Sequence, residues 1–311
     1  MQATIGRILA SPPRRLAACA LLLACGLPPW AQAQEAETPA AQAAGAQAPD
    51  SQAADAQAAA VESAPARPPH PAWEGAIGLQ VNNSPEYAGS DQRKFSIRPG
   101  LYLRWGRYSI ATGGNFVARH NDDEVVRGVT AELVRREDLR LRLSFRYDQG
   151  RKTSESADLA QLDEVRATLR ARLSVVWEPV PDWRFGAGWN TDILGRQGGA
   201  VADFGVARDF RPSQRTLVTV GTSVAWGNDL YMQARFGISP EAAERSGKPA
   251  FDPGAGLRDV ALTAQWRTDI DRSWTVWISG GLSRLLGPAA DSPLTLQATQ
   301  AGVGTGFAWR F

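Results

Sequence analysis

The sequence predicts an all-β fold, a transmembrane antiparallel β-barrel of about 12 strands. Three observations carry this reading. Apolar and polar residues alternate over runs of ten or more, aromatic side chains gather at the ends of those runs, and the chain finishes on an alternating row that ends in Phe311. Strands of soluble sandwiches average about five or six residues, whereas a tilted strand that crosses a membrane needs about 9–11. The length of the alternation therefore separates the two architectures. Composition removes other classes. A chain of 311 residues that is 43% hydrophobic with 11 Trp is too apolar to be disordered throughout, and a formal net charge of +2 is too small for a nucleic-acid binder.

Residues 1–33 read as a secretory signal. Arg7, Arg14 and Arg15 supply the basic start and Leu16 to Leu27 a short apolar core, too short to span a membrane before Pro28-Pro29 breaks it. Ala31-Gln32-Ala33 is a cleavage site of the A-x-A type. Leu22-Leu23-Ala24-Cys25 resembles a lipobox, so lipidation at Cys25 stands as the alternative to cleavage after Ala33. Both cysteines lie in this segment, and a chain cut after Ala33 has no disulfide to stabilise it. Residues 34–72 are almost entirely Ala, Gln, Pro, Ser and acids. They bury too little apolar area to offset chain entropy and read as a disordered tether in the periplasm.

The barrel occupies 73–311. Leu139, Leu141, Leu143, Phe145 and Tyr147 alternate with Arg140, Arg142, Ser144, Arg146 and Asp148, and Val165 to Trp177 repeats the pattern against Arg166, Arg170 and Arg172. Strands are expected at 73–83, 93–105, 107–119, 125–137, 138–148, 164–178, 181–195, 199–211, 214–227, 256–271, 272–286 and 298–311. Tight turns then fall at one end, and the long links 84–92, 149–163, 228–255 and 287–297 at the other. Asn228–Ser239 would make a thirteenth strand, but an odd number would put the two ends of the barrel on opposite sides of the membrane. The segment 228–255 is therefore one long outer loop with a helical turn near Pro240 to Arg245. Trp105, Trp177, Trp183, Trp226, Trp274 and Trp309 fit an interfacial girdle. The last row, Val303, Thr305, Phe307, Trp309 and Phe311, is similar to the assembly signal of bacterial outer-membrane barrels. Membrane lipids and the barrel assembly machinery are thus expected partners.

Several segments resemble the MltA-interacting protein family, MipA/OmpV, of Gram-negative outer-membrane proteins. They are Ser84-Pro85-Glu86-Tyr87-Ala88-Gly89-Ser90-Asp91, Tyr231-Met232-Gln233-Ala234-Arg235-Phe236-Gly237-Ile238 and Gly256-Leu257-Arg258-Asp259-Val260. Ser283-Arg284-Leu285-Leu286-Gly287, Ala290-Asp291-Ser292-Pro293 and the Phe311 terminus follow in the family's order. The resemblance implies an outer-membrane barrel. It also implies, for the name-giving member, a scaffold that links a lytic transglycosylase to a murein synthase, while other members look like porins or adhesion and stress-response proteins; the function expected of this chain is such a murein scaffold, with a narrow porin-like channel of some anion preference as the alternative.

Candidate chemistry is sparse. Histidine occurs only at His70 and His120, and His120-Asn121-Asp122-Asp123-Glu124 reads as a solvated loop tip, so no enzyme is expected. No structural zinc site, and no other cofactor, is expected of a chain without mature cysteine. Gly302, Gly304 and Gly306 recur every second residue with no helix after them, which suits small side chains in a crowded lumen and not a phosphate loop. If the apolar rows face lipid, then Arg140, Arg142, Arg146, Arg166, Arg170 and Arg172 point inward. They form either a basic wall that favours anions or a ladder paired with Glu132, Asp148 and Glu164. The loops Ser84–Asp91 and Asn228–Ala255 suit a plug for the mouth first, or a partner surface.

Overall fold

The computed structural model describes residues 73–113 and 126–311, so the signal (1–33), the tether (34–72) and His120–Glu124 lie outside the described residues. Twelve antiparallel strands close in chain order, with β1 hydrogen-bonded to both β2 and β12. They are β1 Trp73–Pro85, β2 Arg93–Trp105, β3 Tyr108–Ala111, β4 Gly128–Arg135, β5 Leu139–Asp148 and β6 Thr168–Trp177. The second half is β7 Trp183–Asp192, β8 Ala200–Ser213, β9 Thr216–Gly227, β10 Gly256–Asp269, β11 Trp274–Leu285 and β12 Thr299–Arg310. The expected strand ends hold to within a few residues except at two places. The described part of β3 is four residues long, and β6 starts at Thr168, later than the expected 164.

Alternation sets which row faces which side. On β5, Arg140, Arg142 and Ser144 are buried toward the lumen, while Phe145 and Tyr147 are exposed on the outer wall. That wall is apolar around the ring, with Ile77, Ile97, Ile278, Leu282 and Val303 all outward and exposed. Near the short turns the aromatic girdle assembles pairwise. Trp73 stacks on Trp105 at 5.9 Å, Trp177 meets Phe185 at 5.8 Å and Trp309 meets Phe311 at 5.2 Å. Phe311 completes the seam through paired backbone bonds to Gly75, 3.1 and 3.0 Å.

The lumen at the short-turn end is filled. Tyr102 and Trp277 pack with Ala76, Ala111 and Ala308. A Cβ on Gly306 would run into the Trp277 ring and sit 2.6 Å from the Leu79 carbonyl, so this lumen position needs glycine, whereas one on Gly304 would meet the movable end of Asn82. Ion pairs fill the rest of this floor. Glu132 receives Arg104 at 2.8 Å and Arg142 at 3.7 Å, Arg184 binds Asp209 at 2.8 Å, and Arg140 pairs with Glu178 and Arg310 with Asp269.

At the opposite end the segment 228–255 is helical and stays out of the sheet. Helix α1 spans Asp229–Phe236 and α2 spans Pro240–Ser246, the helical turn expected there; α3, Gly287–Ala290, follows β11. Asn228 caps α1 by accepting from the Tyr231 amide at 3.0 Å, and Ser239 caps α2 by accepting from the Ala242 amide at 3.1 Å. Gly247, at φ 69°, ends α2 in the left-handed conformation that glycine adopts without strain.

Candidate functional site

Two layers above the floor make the site: a chamber within the barrel and a cap across its mouth. The cap is built by loops from four parts of the chain. Leu159, Leu162, Ile238, Ala242 and Leu294 form its apolar core, against which Tyr87 and Phe251 pack. Beneath it Met232 and Phe236 of α1 bury against Leu285 and Ala289. Polar ties fix the loops to one another. The Gly89 carbonyl accepts from the amides of Leu296 and Gln297 at 2.8 and 2.9 Å, and Gly89 itself has φ +103° with Thr295 against it. Gln300 donates to the Ser90 carbonyl at 2.9 Å, and the Ser292 hydroxyl donates to the Phe236 carbonyl at 2.6 Å. Burial, with the nearby Asp158 and Asp91 carboxylates, pushes the Tyr87 phenol up to about 12. The Ser239 hydroxyl, together with Arg245, holds the Asp163 carboxyl below its usual range.

The motif residues found by resemblance therefore share one place. Tyr87, Gly89, Ser90, Tyr231, Phe236 and Ser292 hold the cap together, with Gly237 closing α1, Asp291 closing α3 and Pro293 following it. Pro85 ends β1 and Gly256 begins β10, whose Asp259 pairs with Arg258.

Helix α1 anchors the cap to the far wall. It leaves β9, yet Arg235 reaches β5, donating to both carboxylate oxygens of Asp148 at 3.0 and 2.9 Å and to the Gly150 carbonyl at 3.2 Å. Arg151 in turn donates to the Arg235 carbonyl at 3.4 Å, and its burial, with the Arg235 charge, lowers its pKa from the ordinary arginine value. Tyr231 lies between two guanidiniums, Arg170 at 5.6 Å and Arg258 at 5.8 Å from its ring centre. These ties run between well-separated strands, so the cap spans the mouth.

Below the cap lies a chamber of about 1080 Å³ whose described lining holds eight arginines and three aspartates. Arg172 is held by Asp203 in a two-pronged pair, 2.5 and 2.7 Å. Arg235 and Arg258 have Asp148 and Asp259. Arg98, Arg127 and Arg146 line the chamber with no hydrogen bond or ion pair among the described residues.

Of the six arginines expected in the basic wall, Arg146 and Arg172 line the chamber. Arg140 and Arg142 belong to the ion-paired floor, and Arg170 is buried in the wall itself, 3.8 Å from Asp148. Arg166 does not point inward from a strand: it is exposed in the loop before β6. The reason is local. Arg151 and Val165 form an isolated bridge that turns the chain into the cap, and Gly150, at φ 77°, lies against the Val165 carbonyl. Glu164, expected as a partner, lies 3.3 Å from the Thr153 hydroxyl. Arg98, Arg184 and Arg267 were missed although their parity announces them. Arg98 stands between Ile97 and Pro99 and Arg184 between Trp183 and Phe185, while Arg267 follows the outward Trp266.

Among solved structures, the chain is similar to the NanC porin, at 8% identity and TM-score 0.40, over 74% of this chain and 98% of that one. It is similar to the KdgM porin at 8% identity and TM-score 0.37, over 76% and 99%. A bacterial polysaccharide outer membrane secretin matches at 11% identity and TM-score 0.37, over 78% and 98%. A comparison with the curated proteins returns no match. The family model described as MltA-interacting protein MipA matches residues 77–311, most of the chain and nearly all of the barrel. This chain belongs to the MltA-interacting protein MipA family, and its barrel is an outer-membrane barrel.

Proposed function

We propose that this outer-membrane barrel works as a narrow, capped channel whose lumen prefers anions. The observation that carries the reading is the chamber lining, in which eight arginines meet three aspartates. A cationic wall in a confined, partly desolvated space lowers the energy of an anion and raises that of a cation. The filled floor and the cap keep resting conductance low. Planar-bilayer recordings in a potassium chloride gradient are expected to show small, intermittent openings with a reversal potential of anion sign. Cation selectivity, or no conductance, would overturn the proposal.

A second reading rests on the family description, which names an interaction with MltA, a lytic transglycosylase. Outer-membrane barrels place short turns in the periplasm. The strand β1 starts at that end, so a tether at 34–72 would enter the murein space and would be the part of this chain best placed to bind a transglycosylase or a murein synthase. Deleting 34–72 is then expected to abolish capture of murein enzymes by the purified protein. Undiminished capture would remove the tether from this role. Neither reading requires catalysis by the barrel.

A further inference from the structure

The described outer wall is largely apolar, and charged side chains stand on its outward rows at Arg208 and, at the long-loop end, at Arg284. On β8 the outward row runs Phe204, Val206, Arg208 and Phe210, and Arg208 is exposed on it. Its cross-strand neighbours are Trp183 on β7 and Val220 on β9, so apolar side chains surround it on four sides. The guanidinium carbon lies 5.3 Å from the Trp183 ring centre and 4.9 Å from that of Phe210. Nearby carboxylates are taken: Asp182 pairs with Arg211, and Asp209 faces the lumen and pairs with Arg184. Among the described residues Arg208 has neither a hydrogen bond nor an ion pair.

A charge on the lipid face is costly at depth and tolerated at the interface. Trp183 is the first residue of β7, beside the short turn, and stands in the aromatic girdle. Arg208 is directly opposite it and so sits at headgroup level. Two aromatic rings flank the guanidinium, whose N–H groups have no hydrogen-bond partner among the described residues. A guanidinium edge matches a phosphate with two parallel hydrogen bonds. We propose that Arg208, Trp183 and Phe210 form a binding site for the phosphate of one glycerophospholipid in the leaflet at the short-turn end of the barrel.

The test uses the full chain in nanodiscs made either of phosphatidylglycerol or of a phosphate-free galactosyl diacylglycerol with the same acyl chains. Native mass spectrometry is expected to show one phospholipid retained by the wild type. Retention should fall about fivefold in Arg208→Gln, the equivalent of about 1 kcal/mol for one basic side chain at a membrane surface. Arg208→Lys, which keeps the charge and loses the planar edge, should fall between them. In solid-state NMR, the guanidinium nitrogens of Arg208 should be dephased by lipid phosphorus in the wild type. Equal retention of the galactolipid, or no dephasing in phosphatidylglycerol, would overturn the site. Dephasing in galactolipid discs once inorganic phosphate is added, with none gained from phosphatidylglycerol over it, would assign the site to free phosphate and overturn the lipid. If Arg208→Gln does not fold, the two-lipid comparison and the dephasing in the wild type still decide.

Discussion

Replacing Arg170 by methionine is expected to destabilise the barrel by about 3–5 kcal/mol, while Arg146→Met costs less than about 1 kcal/mol. The two residues are directly opposite one another on β6 and β5 and face the same lumen, so residue type and position along the wall are matched. Their partners differ. Arg170 is 1% exposed. It donates to the Asn190 side chain at 3.2 Å, to the Gly198 and Gly199 carbonyls at 2.9 and 3.1 Å, and to the Asn190 carbonyl at 3.3 Å. Truncation takes the guanidinium donor from the Asn190 side chain and the Gly198 carbonyl in a place water reaches poorly, and an unmet buried group costs more than its bond contributes. Arg146 faces the chamber with no such partners among the described residues. Lysine should not rescue position 170, because a point charge cannot reach carbonyls arranged for a planar fork. Urea unfolding of the detergent-folded barrel measures the difference. Equal midpoints for the two variants would show that Arg170 is not the structural tie described here.

Cutting the cap tie should have the largest effect on conductance. In Arg235→Ala the double bond to Asp148 and the bond to the Gly150 carbonyl are lost together. A charge-assisted tie of this kind contributes about 2 kcal/mol, which corresponds to about a thirtyfold rise in the open population. The apolar core of the cap does not involve Arg235, so the cap should loosen without unfolding. Open probability in planar bilayers measures this, and limited proteolysis at 228–255 reports the loosened cap independently. Unchanged open probability with a protease-sensitive cap would mean that the floor, not the cap, limits passage.

The barrel was legible because period-two alternation is a property of single strands. In β5 each apolar side chain is followed by a polar one, in β6 the same holds as far as Ser174, and the two strands pair without a slip. Counting was legible for a physical reason too, since both ends of the barrel must lie on one side, and the segment that parity kept out of the sheet became α1. The Asn228 cap could have been recognised from sequence as a helix start. Roles inside the lumen were less legible. Arg140, Arg146 and Arg170 share one row pattern, yet one belongs to the floor, one to the chamber and one to the wall. What separates them is the position of acceptors on other strands and loops, such as Glu178 and the Gly198 carbonyl, which no local pattern encodes. Loop length pointed to a plug at the mouth, but the ties within it did not show, because Gly89, Phe236 and Ser292 are far apart in sequence and meet only when four loops converge. Arg208 breaks the alternation outright, and such a breach points to the membrane side of the wall as a place where chemistry occurs.

The proposed function rests on one arrangement, a cationic chamber closed by a releasable cap. It is tested most directly by the reversal potential of Arg235→Ala recorded across a tenfold potassium chloride gradient. Frequent openings are expected with a reversal potential of anion sign, shifted toward zero when Arg98 and Arg146 are also replaced by glutamine. A reversal potential of cation sign through the opened cap would contradict it.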